Sequence, residues 1–205
     1  AHCHLFALAA SLLAVDCSTA RSIIEIQARI RERARSVPEG TWIKATGYHE
    51  FDLAEKRHPS RHDLDAAAPN HPVRLMHRTG HALVLSSLAL KLAGISRETP
   101  DPPGGIIDRQ VSGSEEDIGE STGVLFEMAD YVERIVPPLS QSELEEGMRL
   151  ARRRLLAAGV TSLQDATASN GLAQWRLLTQ LKKDGALPCR ATMMMSDTLV
   201  RPMFV

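Results

Sequence analysis

The stretch SQSELEEGMRLARRRLLAAGVTSLQD, residues 140–165, decides the fold. Ser140-Gln141-Ser142-Glu143 is a capping box, a Ser side chain followed three residues on by Glu, and it opens a helix that runs to Ala158. Gly159 ends that helix. Val160 to Asp165 then reads as a strand. The pattern repeats at once. Gly171 to Asp184 is an amphipathic helix carrying Leu172, Trp175, Leu178 and Leu181, and Gly185 closes it. Pro188 to Met195 is again a strand. Helix, strand, helix and strand with short connections form a parallel βα unit. Parallel strands are generally buried on both faces, and the apolar runs around Leu163 and Met193-Met194-Met195 fit that expectation. The three methionines read as buried strand rather than a soft metal site, because consecutive residues cannot face one ion.

Working outward to the start of the chain, Ala1-His2-Cys3-His4-Leu5 is the second informative stretch. On a strand, His2 and His4 point to one side and Cys3 to the other. Their Cα atoms lie roughly 6.6 Å apart, from about 3.3 Å of rise per residue. Two imidazoles at that spacing can converge on one divalent ion such as zinc. The apolar run Leu5–Val15 follows. It is too short to span a bilayer, and it lacks the basic flank of a signal peptide.

Between these ends the signals are mixed. Ser22-Ile23-Ile24-Glu25 starts a helix with Ile23, Ile26, Ile30, Ala34 and Val37 on one face. Thr41–Tyr48 and Val73–His77 read as strands, Asp63–Ala68 as a short helix, and Pro69-Asn70-His71-Pro72 as a turn. The spacing predicts a turn at Arg78-Thr79-Gly80 and a helix from His81 through Leu92, capped by Gly94. His77 and His81 are four apart, but Gly80 argues against one continuous helix carrying both, and His77 reads as a strand histidine. Ile106–Arg109 and Thr122–Phe126 form a hairpin with a long polar connection. Glu115, Glu116, Asp117 and Glu120 lack the ligand alternation of a calcium loop and read as solvated. Gly119 to Gly123 is no phosphate loop, since no G-K-[ST] follows. Asp165, at the carboxyl end of its strand, is open to either a catalytic or a helix-capping role.

The 205 residues are 43% hydrophobic and 24% charged with a net charge of −1, so nothing in the balance points to nucleic acid or an anionic membrane. Three cysteines without a CxxC pair argue against a disulfide framework or a Cys-rich zinc site and point to a reducing, cytoplasmic setting. No GxSxG elbow supports a serine hydrolase. The fold class is α/β, a partial (β/α) barrel of about three strands with a large inserted mixed α/β domain. Residues 1–19 are the end of the first barrel strand and the loop after it, 20–138 the insert, and 139–205 the returning βα units. A complete barrel has eight units and about 250 residues, so this chain reads as the front part of one, cut at both ends.

The series resembles a known family. Its motifs are His2-Cys3-His4-Leu5, Gly40-Thr41-Trp42-Ile43 with Gly47-Tyr48, and Leu64-Asp65-Ala66-Ala67-Ala68-Pro69 with His71-Pro72-Val73. Gly80-His81-Ala82 with Ser87, Ala89 and Leu90, Pro102 with Gly104-Gly105, Thr122-Gly123-Val124-Leu125 and Gly159-Val160-Thr161-Ser162 complete it. Together they resemble amidohydrolase family 3, the N-substituted formamide deformylase-like branch of the metal-dependent amidohydrolases. That resemblance implies a barrel whose first strand ends in His-x-His, with a domain inserted before the second strand. It implies a divalent metal, usually zinc, held by His2 and His4, and hydrolysis of an amide-type C–N bond in a small-molecule substrate. Further ligands, a carboxylate or carboxylated lysine, two histidines and an aspartate, are implied on later strands, so this portion alone is expected to be inactive. His81 falls in the Gly-His-Ala segment and either lines the substrate pocket or pins the insert. Ser86 stands where the family usually has Asn. Strand edges left unpaired predict a homodimer. The competing reading is a stand-alone α/β binding domain in which His-x-His is decoration.

Overall fold

The computed structural model describes residues 1–111, 119–168, 170–187, 189–197 and 201. In chain order the elements are β1 (His2–Cys3), α1 (Leu5–Leu13), β2 (Val15–Asp16), α2 (Ile23–Arg35), β3 (Ile43–Tyr48), a 3-10 turn (Glu50–Asp52), α3 (Arg61–Ala67), β4 (Val73–His77), β5 (Ala82–Leu85), α4 (Ser87–Leu92), β6 (Ile106–Arg109), β7 (Ser121–Phe126), α5 (Ala129–Glu133), α6 (Gln141–Ala157), β8 (Ser162–Asp165), α7 (Leu172–Lys183) and β9 (Arg190–Met193). They form a mixed α/β fold in two compact units, residues 1–13 with 139–205, and residues 14–138.

The first unit holds a parallel sheet in the order β1-β8-β9. Its register pairs His2 with Gln164 and Cys3 with Asp165, then Gln164 with Thr192 and Asp165 with Met193. Leu163, Cys3, Ala191 and Met193 pack against α1, α6 and α7 through Leu5, Ala9, Met148, Ala151, Leu155 and Leu178. Burial along β8 alternates, with Ser162 and Gln164 exposed and Leu163 and Asp165 buried. This corrects the expectation of strands buried on both faces. Among the described residues, helices cover one face only, and β9 lies at the sheet edge with Met194 half exposed.

The segment after β1 is also a correction, since Leu5–Leu13 is a helix and not a loop. Leu and Ala, which fill most of it, are the strongest helix formers. α1 packs closely on α6 at Gly147, where a Cβ would lie 2.7 Å from the carbonyl oxygen of Ala9. The capping box that opens α6 is complete: Ser140 Oγ accepts from Glu143 N–H, and the Glu143 carboxylate accepts from Ser140 N–H at 2.8 Å.

The second unit is a six-stranded sheet in the order β2-β3-β4-β5-β7-β6. β2, β3 and β4 are parallel, whereas β4, β5, β7 and β6 run antiparallel to their neighbours. One face packs on α2 and α3 through Ile26, Ile30 and Leu64 against Ile43, Leu75 and Val84. The other packs Leu83, Leu85 and Leu125 on α4 and α5 through Leu90 and Val132. Each such aliphatic side chain contributes about 1.5–3 kcal/mol on burial.

The helix expected from His81 to Leu92 is instead β5 followed by α4. All four residues of β5 are buried, because both sheet faces are covered there. Such an apolar run satisfies helix and central-strand patterns equally, and its pairing with β4 and β7 decides the matter. The helix starts only at Ser86, whose Oγ accepts from Ala89 N–H and also from Val73 N–H at 2.9 Å. Ser86 is buried and therefore serves as a helix cap bonded to β4. Asp65 supports the same helix start by accepting from Ser87 N–H and Oγ–H. The hairpin of β6 and β7 is present as expected. Glu115, Glu116 and Asp117 lie outside the described residues, and Glu120 pairs with Arg61 at 3.2 Å. Among the described residues no helix is long and apolar enough to cross a membrane.

Candidate metal centre

His2 opens the two-residue strand β1, and His4 follows it directly. His2 shares a sheet face with Gln164 and Thr192, the face left bare of helices, while Cys3 turns into the apolar core. The two imidazoles meet edge to face with centroids 5.3 Å apart. His4 Nδ1 lies 3.1 Å from Thr167 Oγ1, on the segment just after β8.

Asp165 faces the other way. Its fully buried carboxylate accepts from Leu5 N–H at 2.9 Å, Thr167 N–H at 3.0 Å and Asn170 Nδ2 at 2.9 Å. Burial pushes the carboxyl up, but hydrogen bonds from Thr167, Asn170 and Leu5 outweigh that and hold it below the ordinary range. It caps α1 and braces the turn carrying Thr167. Of the two roles open to Asp165 in the sequence, the contacts are those of the cap.

His81 is exposed and pairs through Nδ1 with Glu127 at 2.9 Å. The Glu127 backbone N–H also donates to His81 C=O, extending the β5–β7 ladder by one rung. His77, the last residue of β4, is separated from His81 by the Arg78–Gly80 turn.

A second cluster, which the sequence reading did not assemble, forms in the unit of residues 14–138. His49, Glu50 and His77 each place one ligand atom within 4.8 Å of the other two. The backbone explains the convergence. β3 and β4 run parallel, so their carboxyl ends coincide. A bulge between Thr46 and Tyr48 brings Tyr48 opposite His77. Gly47 makes the bulge with φ +96°, against Ser18, where a side chain would be both strained and crowded. Strand alternation alone would aim Tyr48 away from Ala45. The bulge returns it to the buried face beside His77, with ring centroids 5.2 Å apart, and delivers His49-Glu50 to the strand end.

Within this cluster His49 Nδ1, Glu50 Oε2 and His77 Nε2 are buried with no hydrogen-bond partner. His77 Nε2 lies 2.9 Å from Glu50 Oε2, a contact whose direction is not that of a hydrogen bond. Each buried unpaired polar atom costs about 1–3 kcal/mol. On its other side, His77 Nδ1 is 2.8 Å from Thr79 Oγ1. Burial holds the His77 imidazole below the ordinary histidine value despite the opposing charge of Glu50. Burial raises the Glu50 carboxyl, but its backbone hydrogen bond and the neighbouring His58, His77 and His49 bring it below the ordinary value. Tyr48 Oη bonds His58 Nδ1 at 2.8 Å. Glu50 and His58 line a cleft of about 640 Å³ with Asp108 and Thr122. The available signal was His-Glu directly after one strand and His at the end of the next, but only the register joins them.

Burial pushes Cys17 up to about 12 and Cys3 above its usual value, so neither is a thiolate at neutral pH.

Comparison with known proteins agrees with the motif series. The amidohydrolase family model matches residues 1–203. A Bacillus subtilis (strain 168) protein named as an amidohydrolase, YtcJ, is 35% identical over 161 residues, covering 78% of this chain and 29% of that protein. The N-substituted formamide deformylase of Arthrobacter pascens is 34% identical over 181 residues, covering 81% of this chain and 31% of its own length. The chain thus spans about three-tenths of the length of these relatives. A metal-dependent hydrolase from Pyrococcus furiosus, of uncharacterized function, superposes with a TM-score of 0.67 at 24% identity, covering all of this chain and 38% of that one, a likeness of fold. With the family model covering nearly every residue, this chain belongs to the amidohydrolase family.

Proposed function

We propose that this chain is a portion of a metal-dependent hydrolase acting on small molecules with non-peptide, amide-type C–N bonds, and that His2 and His4 are two of its metal ligands. The observation that carries this reading is the pair of imidazoles 5.3 Å apart, with His2 beside Gln164 near the carboxyl end of β8 and His4 just past β1. In a (β/α) barrel the face bare of helices is the interior and the carboxyl end holds the chemistry. β1, β8 and β9 are read as its first three strands, with the residue 20–138 segment inserted after the first.

The donor set fits a zinc-class ion, since two neutral imidazoles on one side can share it. His2 and His4 would hold a divalent ion, which when bound would supply Lewis-acid activation of water and of a substrate carbonyl. The chain's own residues orient the ligands. Thr167 engages His4 Nδ1, which leaves Nε2 as the ligating nitrogen. Asp165 fixes the junction between β1 and α1 behind them. Among the described residues no third His, Cys, Asp or Glu joins the pair, and a catalytic zinc normally has three protein ligands, so residues 1–205 alone are inactive in this reading. His81, exposed beside Glu127, is read as a substrate-facing group of the insert. The free state of Cys3, Cys17 and Cys189 suits a reducing, cytoplasmic setting.

The test measures formate release from an N-substituted formamide by residues 1–205 and by a longer chain matching the relatives' length, with Zn2+ supplied or chelated. Release is expected from the longer chain only, dependent on metal, and reduced at least about 100-fold by His2→Ala or His4→Ala. Turnover by residues 1–205 alone, or a longer chain indifferent to chelation and to both substitutions, overturns the reading.

A further inference from the structure

We propose that His49, Glu50 and His77 form a second divalent-metal site, of the zinc class, which clamps the carboxyl ends of β3 and β4 together. Three buried ligand-type atoms converge at this point. His49 Nδ1, Glu50 Oε2 and His77 Nε2 are all buried and all without a hydrogen-bond partner. Orphaned buried polar atoms are rare, and three on adjacent residues of one cluster call for a shared partner. Two imidazole nitrogens and one carboxylate oxygen are a borderline donor set, the kind that takes Zn2+ in preference to Mg2+ or Ca2+.

The spacing agrees. Ligands of a tetrahedral zinc lie roughly 3.3 Å from one another, given metal–ligand distances of about 2.0–2.1 Å. The cluster runs from 2.9 Å, between His77 Nε2 and Glu50 Oε2, to no more than 4.8 Å. His77 Nε2 and Glu50 Oε2 approach to 2.9 Å without hydrogen-bond alignment, close enough for both to serve one cation.

The supporting contacts are those of a built site. Thr79 Oγ1, 2.8 Å from His77 Nδ1, can accept its N–H and so present the Nε2 lone pair to the metal. The Thr79 backbone N–H approaches the same nitrogen at 3.3 Å, a longer contact that favours the opposite tautomer. Metal binding selects the first. Glu50 also lines the adjoining cleft, which leaves room for a water or a ligand atom as the fourth donor. The role is structural. The site joins residues 49–50 to residue 77 across the β3–β4 junction, where the bulge has ended regular pairing.

The experiment uses residues 1–205 carrying His2→Ala and His4→Ala, so that neither of those residues can contribute, and titrates the metal-free protein with Zn2+ alone. One equivalent is expected to bind and survive desalting, with a rise in the thermal midpoint. In that background His49→Ala and Glu50→Gln, both at half-buried positions that tolerate change better than His77, are expected to weaken Zn2+ binding at least about 100-fold. Thr79→Val is expected to weaken it about 10–100-fold, as loss of an outer partner does. Circular dichroism establishes that each variant is folded before titration. No stoichiometric Zn2+ in the parent, or undiminished binding in both His49→Ala and Glu50→Gln, overturns the site.

Discussion

The Asp165 carboxylate accepts the backbone N–H of Leu5 at 2.9 Å, so the last residue of β8 holds the first turn of α1. The same group accepts from Thr167 and Asn170. Asp165→Ala is therefore expected to destabilise the unit of residues 1–13 and 139–205 by about 2–4 kcal/mol, the range for losing a buried charged acceptor and stranding its donors. Urea unfolding followed by circular dichroism measures this. A loss below about 0.5 kcal/mol would remove Asp165 from its bracing role.

Asp63 gives the second unit a matching anchor. Burial raises its carboxyl, but hydrogen bonds from Arg57 and Ser60 outweigh that and leave it below the ordinary value, as at Asp165. The unfolded chain, with carboxyls near about 3.9, then takes up protons before the folded one as pH falls. The stabilisation is present in full above about pH 3.9 and is lost as pH drops through the lower folded values. Asp63→Asn and Asp165→Asn should each flatten the fall of stability with acid. Urea midpoints collected between about pH 6 and pH 2 report it, and parallel slopes in variant and parent would contradict the assignment.

Gly147 decides how closely α1 and α6 pack. In an exposed helix, Gly→Ala stabilises by about 1 kcal/mol. Here the added methyl meets the Ala9 carbonyl oxygen at 2.7 Å, backbone that cannot swing aside. The clash wins, and Gly147→Ala should destabilise by about 1–3 kcal/mol, the usual range for overpacking. A thermal midpoint unchanged or raised by the substitution would show that the helices can separate at little cost.

Thr167 bears on function through His4. If His4 ligates through Nε2, then Thr167→Val in the longer hydrolase removes the hydroxyl that orients the ring. Metal affinity is expected to fall about 10–100-fold, with restoration by Thr167→Ser. Equal metal retention in the Val and Ser variants would detach Thr167 from the site.

Much of this architecture is local and was legible in the residues. Ser22 and Ser140 start their helices because a Ser side chain reaches the N–H three residues on. His2 and His4 share a face, and Cys3 takes the other, because strand alternation needs no partner to be read. The family motifs were equally readable, since they are strings of residues in order.

What failed to show in the sequence is what depends on a distant strand. Ala82–Leu85 has no pattern of its own, and only the flanking β4 and β7 make it a strand. The bare face of β8 follows from which helices cover the sheet. Asp165 reads equally as a strand-end acid or a cap, and its bond to Leu5, 160 residues away, makes it the cap. The convergence of His49, Glu50 and His77 arises from the β3–β4 register and one bulge at Gly47. Helix starts and strand faces are set by neighbours within four residues. Register and coverage are settled by contacts dozens of residues apart, and the tertiary structure alone supplies them.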